Sequence, residues 1–161
     1  MRRENNNFNH MRNIENKLVE LSKFITDAEK LNTKISSVDV GWHIAHSLLV
    51  IIKIIVTVTK SDPDLYKWKF NFARAIVFTL NRFPRGKSIA PKIVEPNQHE
   101  KTDFESLFTE ARKSIDALKN ADSNNYFRHP VLGNLNKKNT FIMLDIHTKH
   151  HILIINDIIS S

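Results

Sequence analysis

The chain has 161 residues, 41% hydrophobic and 25% charged, with a formal net charge of +7 and no cysteine. That length supports one domain, residues 1–161, around a single sizeable core. The lack of cysteine excludes disulfides, thiolate nucleophiles and cysteine-ligated zinc, so any metal must rest on His, Asp, Glu and water.

The start carries Arg2, Arg3 and Glu4 followed by a run of Asn, with no apolar segment of a secretory signal. A cytoplasmic location is therefore expected. Residues 1–9 are expected to fray. Over residues 11–31, Ile14, Leu18, Leu21, Ile25 and Ala28 recur at helical spacing with charges between them, which predicts a first amphipathic helix. Ser36 and Asp39 fit a capping box that opens a second helix running to about residue 60. Residues 48–58 of that helix are rich in β-branched side chains. The length of the apolar tract, its cap and its lack of turn signals favour helix over strand. The apolar tract is expected to be too short between polar residues for a membrane span, and it carries Lys53. Apolar side chains on most of its sides make it the expected central helix.

Asp62, Pro63 and Asp64 break the chain, and Phe72, Ile76 and Leu80 then predict a short third helix to about residue 81. Trp68, Phe70 and Phe72, interleaved with Lys67 and Lys69, are expected to pack that helix onto the core. Stacking on single-stranded nucleic acid is the alternative. Residues 83–99 hold Pro84, Pro91 and Pro96 and should be irregular. Nine Lys/Arg against four Asp/Glu lie within residues 60–101, so +5 of the net +7 belongs to this crossover. Such a patch suits an acidic substrate, a nucleic acid or plain solvation. Thr102 and Glu105 form a second capping box, opening a helix that carries Phe104, Leu107, Phe108, Ala111, Ile115 and Leu118 to about residue 120. After a polar loop, Asn136 caps a last helix reaching about residue 159. The expected fold class is all-α: a four-helix bundle with one long crossover containing an extra short helix.

The last helix carries His147, His150 and His151 within an apolar pattern. His147 and His151, four apart, project from one face on successive turns, alongside Leu144, Ile154 and Ile158. Imidazoles at positions where leucines would pack suggest metal ligation. On the second helix Trp42, His46, Leu49 and Lys53 form a stripe that offers His46 as a facing third ligand; His43 and His150 are competitors whose offsets point them away from the two stripes, with His150 the expected bystander. Three imidazoles from two helices can fill three corners of a tetrahedron and leave the fourth to water, the arrangement of catalytic zinc sites. Asp145 and Asp157 on the last helix could orient imidazoles, though solvated positions are expected for both. Arg85 and Lys87 in the crossover could hold a substrate carboxylate, and His129, just before Pro130, could cap its loop or reach the site. There is no Gly-rich phosphate loop and no serine nucleophile motif.

With His46 on the second helix and His147 and His151 on the last, the chain resembles the DinB-like metal-binding four-helix bundles. The stretches holding Pro84, Arg85, Gly86 and Lys87, and then His129, Pro130, Gly133 and Leu135, are similar to an uncharacterised branch of that superfamily. The resemblance implies His46, His147 and His151 as ligands of zinc, nickel or a similar divalent ion, acting on a small molecule by thiol transfer or hydrolysis. It also implies a low-molecular-weight thiol as a possible co-substrate, since characterised relatives include thiol-dependent S-transferases and a glutathione-dependent isomerase. Family members follow the second His of the pair with Arg and Gln, whereas this chain has Ile152, Leu153 and Ile154. No membrane association is expected, nucleic acid is a disfavoured partner, and the apolar faces of the bundle leave room for a homodimer. The other function to weigh is a non-catalytic module that uses the basic crossover to dock an acidic partner or nucleic acid.

Overall fold

A computed structural model of the chain describes residues 2–84, 94–96 and 102–161, with side chains from residue 12 onward. The described residues are mostly helical: α1 (Arg2–Ser22), α2 (Val40–Thr59), α3 (Phe72–Leu80), α4 (Phe104–Asn120) and α5 (Lys137–Ser160). One small antiparallel sheet, β1 (Tyr126–His129) with β2 (Gly133–Asn136), sits between α4 and α5.

The four long helices follow the predicted apolar periodicities, and the boundaries differ in instructive ways. α1 begins at Arg2, earlier than the predicted start near residue 11, and no Pro or Gly stands there to break the helix. It also ends at Ser22 rather than continuing to residue 31, because Lys23 and Phe24 N–H groups turn back to the Glu20 and Leu21 carbonyls and tighten the last turn. Asp39, not Ser36, caps α2: its carboxylate accepts the Trp42 N–H at 2.7 Å, while Ser36 Oγ accepts the Val38 N–H at 3.2 Å. Asp103, not Thr102, likewise caps α4 by accepting the Ser106 N–H at 3.0 Å. In both cases the aspartate itself satisfies an orphan donor of the first turn, which makes a capping box around it unnecessary. Asn136 caps α5 as expected, accepting the Asn139 N–H.

α2 packs against α4 and α5, and α1 packs against α5 and more lightly against α4. The shared core draws Ile14, Leu18 and Leu21 from α1, Ile44, Leu48, Ile51 and Ile55 from α2, Ile115 and Leu118 from α4, and Met143, Leu144 and Ile155 from α5. By length and composition α2 could cross a membrane, with a mean hydropathy of 1.7. It is therefore not too short to span. Burial of Ile44, Leu48, Ile51 and Ile55 among neighbouring helices accounts for its apolar character here. Polar ties fix α1: Lys17 and Asn13 reach Asp145 of α5, and Lys119 of α4 reaches Glu15 at 3.0 Å. Asp145 is thus buried against α1 and not a solvated position.

The β1–β2 hairpin occupies what the sequence suggested was a polar loop. Phe127 and Leu135, paired across the two strands, turn inward to the core. Gly133 closes the turn with φ of +73°, a conformation that a side chain would strain. Arg74 of α3 anchors the hairpin by donating to the Asn134 carbonyl at 2.9 Å, and it also donates to the carbonyl of Lys69, just before α3, at 2.5 Å. Buried Arg74 and Val77 form the inner face of α3. The expectation that Trp68, Phe70 and Phe72 pack the core fails: they are 64%, 69% and 70% exposed. Ile76 and Leu80 lie on the same outward side, because burying Arg74 turns the apolar stripe of this short helix away from the core.

Candidate metal centre

The histidine cluster forms where α2 and α5 pack face to face. Spacing on α5 sets His147 and His151 one turn apart with ring centroids 4.6 Å from each other. His46 of α2 sits opposite, its ring 5.2 Å from His147 and 4.8 Å from His151. One ring nitrogen from each of the three lies within 4.8 Å of the others. Zinc–nitrogen bonds of about 2.0–2.1 Å would set tetrahedral ligand pairs about 3.4 Å apart, so movements of roughly 1 Å close the set around an ion.

The hydrogen bonds of these rings leave nitrogens to spare. His46 Nδ1 lies 2.8 Å from the Val94 carbonyl oxygen, which can only accept, so Nδ1 carries the proton and Nε2 keeps a lone pair. Trp42 stacks on the His46 ring at 4.7 Å and 14°, fixing its plane. His151 Nδ1 lies 2.9 Å from His43 Nδ1, leaving its Nε2 on the far side of the ring. His147 is half-buried by area, but its Nδ1 is sealed and has no hydrogen-bond partner among the described residues. A buried orphan of this kind costs about 1–3 kcal/mol unless something binds it.

Electrostatics keep the cluster neutral. Burial pushes the His147 and His151 pKa values well below 6.5, and the neighbouring imidazoles push them further. The His46 pKa is also lowered by burial, against partial opposition from the Val94 carbonyl and Glu95. Neutral imidazoles are the form that ligates metal, and such ligands suit zinc, nickel, copper or iron. On the chemistry of the donor set, the residues fit a divalent ion.

The three predicted ligands therefore come together, and His43 and His150 lie beside them, each with its ring 5.2 Å from that of His151. His43, read in the sequence as pointing away, instead contacts His151, because three residues on a helix keep His43 and His46 on one side. Its Nε2 lies 3.0 Å from Ser36 Oγ. His150 stays outside the trio, with its ring against Phe83, which also borders His147. His129 Nδ1 accepts the N–H groups of Val131 and Leu132 at 3.1 Å each, so it caps its own turn. Its charge, when present, still reaches His147 and disfavours protonation there. Arg85 and Lys87 fall outside the described residues. Asp145 faces Lys17 and Asn13 on α1.

No known protein family, curated protein or solved structure matches this chain. Its chemistry has to be read from the atoms of the site. Two contributors carried different amounts of signal in the sequence. The spacing of His43 and His46 could have placed both on the α5 side, whereas a backbone carbonyl such as that of Val94 leaves no trace in residue types.

Proposed function

We propose that this chain is a metal-dependent enzyme of the DinB-like four-helix bundles, holding a divalent ion through His46, His147 and His151 and acting on a small molecule. One observation carries the reading: three neutral imidazoles from α2 and α5 converge, two already oriented through Nδ1 and the third with a sealed, unpartnered nitrogen. Three protein ligands leave a coordination position open, which is the pattern of catalytic rather than structural zinc. A divalent ion held there would supply Lewis acidity, the chemistry that thiol transfer or hydrolysis needs. The residues of the chain orient that chemistry. Val94 and Trp42 hold the His46 ring, and Phe83 borders the His147 edge as an apolar wall. The reaction class that this supports is thiol transfer or hydrolysis.

Ile152, Leu153 and Ile154 follow the His pair, so contacts to the substrate must come from elsewhere, and Arg85, Lys87 and His129 are the candidates by sequence. The test is metal content and zinc or nickel affinity of the purified protein, compared with His46→Ala, His147→Ala and His151→Ala. The reading predicts one equivalent per chain, lost in each variant. A wild-type protein that takes up no divalent ion would end it.

A second reading is favoured by one separate observation. Exposed Trp68 and Phe70 alternate with exposed Lys67 and Lys69, a surface suited to docking an acidic partner. Salt-sensitive binding that survives the histidine substitutions but not Lys67→Ala with Lys69→Ala would support it.

A further inference from the structure

We propose that His43 is a positioning residue that, backed by Ser36, sets the tautomer of His151 and so makes its Nε2 available as a metal ligand. The inference rests on the reading that His46, His147 and His151 bind a metal, and goes beyond it to a residue outside that trio. The observation is the chain of contacts from Ser36 Oγ to His43 Nε2 at 3.0 Å and from His43 Nδ1 to His151 Nδ1 at 2.9 Å. His43 and His151 are buried, at 4% and 7% exposure, and a neutral imidazole carries one N–H. A single proton must lie between the two Nδ1 atoms, since two lone pairs or two N–H groups would repel.

Only two proton arrangements satisfy the chain. In the first, His151 Nδ1–H donates to His43 Nδ1, and His43 Nε2–H donates to Ser36 Oγ. His151 then has a free lone pair on Nε2. In the second, Ser36 donates to His43 Nε2, His43 Nδ1–H donates to His151 Nδ1, and the His151 proton sits on Nε2, where it blocks ligation. Ser36 Oγ serves either pattern: it accepts from the Val38 N–H in both, and it accepts from His43 in the first and donates to it in the second. The contact also holds the ring plane of His151, as the Val94 carbonyl does for His46. Metal-ligating histidines commonly donate their second N–H to an oriented acceptor, and loss of that acceptor weakens metal binding. Here the acceptor is another imidazole, so the site holds two interconvertible proton patterns of which one is competent.

The test compares zinc affinity, by competition with a chromophoric chelator, for wild type, His43→Leu and His43→Asn. Leu fills the space with no acceptor, and the Asn Oδ1 stands where Nδ1 stood. The expected result is an affinity about 10–100-fold weaker for His43→Leu and largely restored for His43→Asn. A packing role would give the reverse order, with Leu tolerated and Asn disruptive. Nitrogen-15 spectra of the zinc-loaded wild-type protein give a second readout that needs no variant to fold. His43 should carry its proton on Nε2 and His151 on Nδ1. A proton on His43 Nδ1, or a His43→Leu protein binding as tightly as wild type, overturns the inference while leaving the three-histidine site standing. A wild-type protein that binds no zinc removes both.

Discussion

Replacing His147 by leucine should make the metal-free protein more stable and the metal-loaded protein less so. In the metal-free fold His147 Nδ1 is sealed without a partner among the described residues, and neighbouring imidazoles add to the cost of charging the ring. An unsatisfied buried polar group costs about 1–3 kcal/mol, which leucine, of similar volume, does not incur. His147 is half-buried by area, so part of the new side chain meets water and the net gain should be about 1 kcal/mol. For a chain of this size that gain raises Tm by about 2–4 °C. Zinc at a hundred times Kd should add about 2.7 kcal/mol to the wild type and nothing to the variant. Urea unfolding with chelator and with excess zinc measures both differences. The order should invert: variant above wild type without metal, wild type above variant with it. A chelated His147→Leu protein less stable than wild type would refute the claim that the ring is unsatisfied. Equal gains from zinc would refute its role as ligand.

Acid should weaken the metal-free fold in a defined window. His43, His46, His147 and His151 all have pKa values held below 6.5, whereas the unfolded chain takes up protons near that value. Below 6.5 the unfolded state thus binds more protons and stability falls with pH, while above about 7 these groups contribute no slope. His43 alone, lowered to about 4, accounts for about 3 kcal/mol by pH 4; urea midpoints that do not change between pH 7.5 and pH 5 would contradict this. Gly133→Ala should cost about 1–2 kcal/mol because φ is +73° there, and a midpoint equal to wild type would show that the turn does not need the left-handed backbone. Phe70→Ser, at a 69% exposed position, should shift stability by no more than about 0.5 kcal/mol, and a large loss would mean that this aromatic is covered.

How much was legible in the sequence follows from how far each signal reaches. The long helices declared themselves because Ile14, Leu18 and Leu21, or Phe108, Ala111 and Ile115, repeat over several turns and all end up buried. The hairpin did not, since two strands of four residues each show too few alternations to stand out from a loop, and Pro130 obscures the pattern. α3 was legible as a helix and misleading as a packing element. Phe72, Ile76 and Leu80 look like a core stripe, but the backbone carbonyls of the hairpin draw Arg74 inward instead. The three facing histidines were legible from i,i+4 spacing and the central position of α2. Their supporting contacts were not, because a ring nitrogen paired across α2 and α5, or a carbonyl from the crossover, depends on tertiary register.

The central claim is that His46, His147 and His151 hold one divalent ion, and diffraction from crystals of the zinc-loaded protein at the zinc absorption edge tests it most directly. A single anomalous peak per chain should lie between the three rings, about 2.0–2.1 Å from one nitrogen of each. A peak lying elsewhere, or no peak after exposure to zinc, would contradict it.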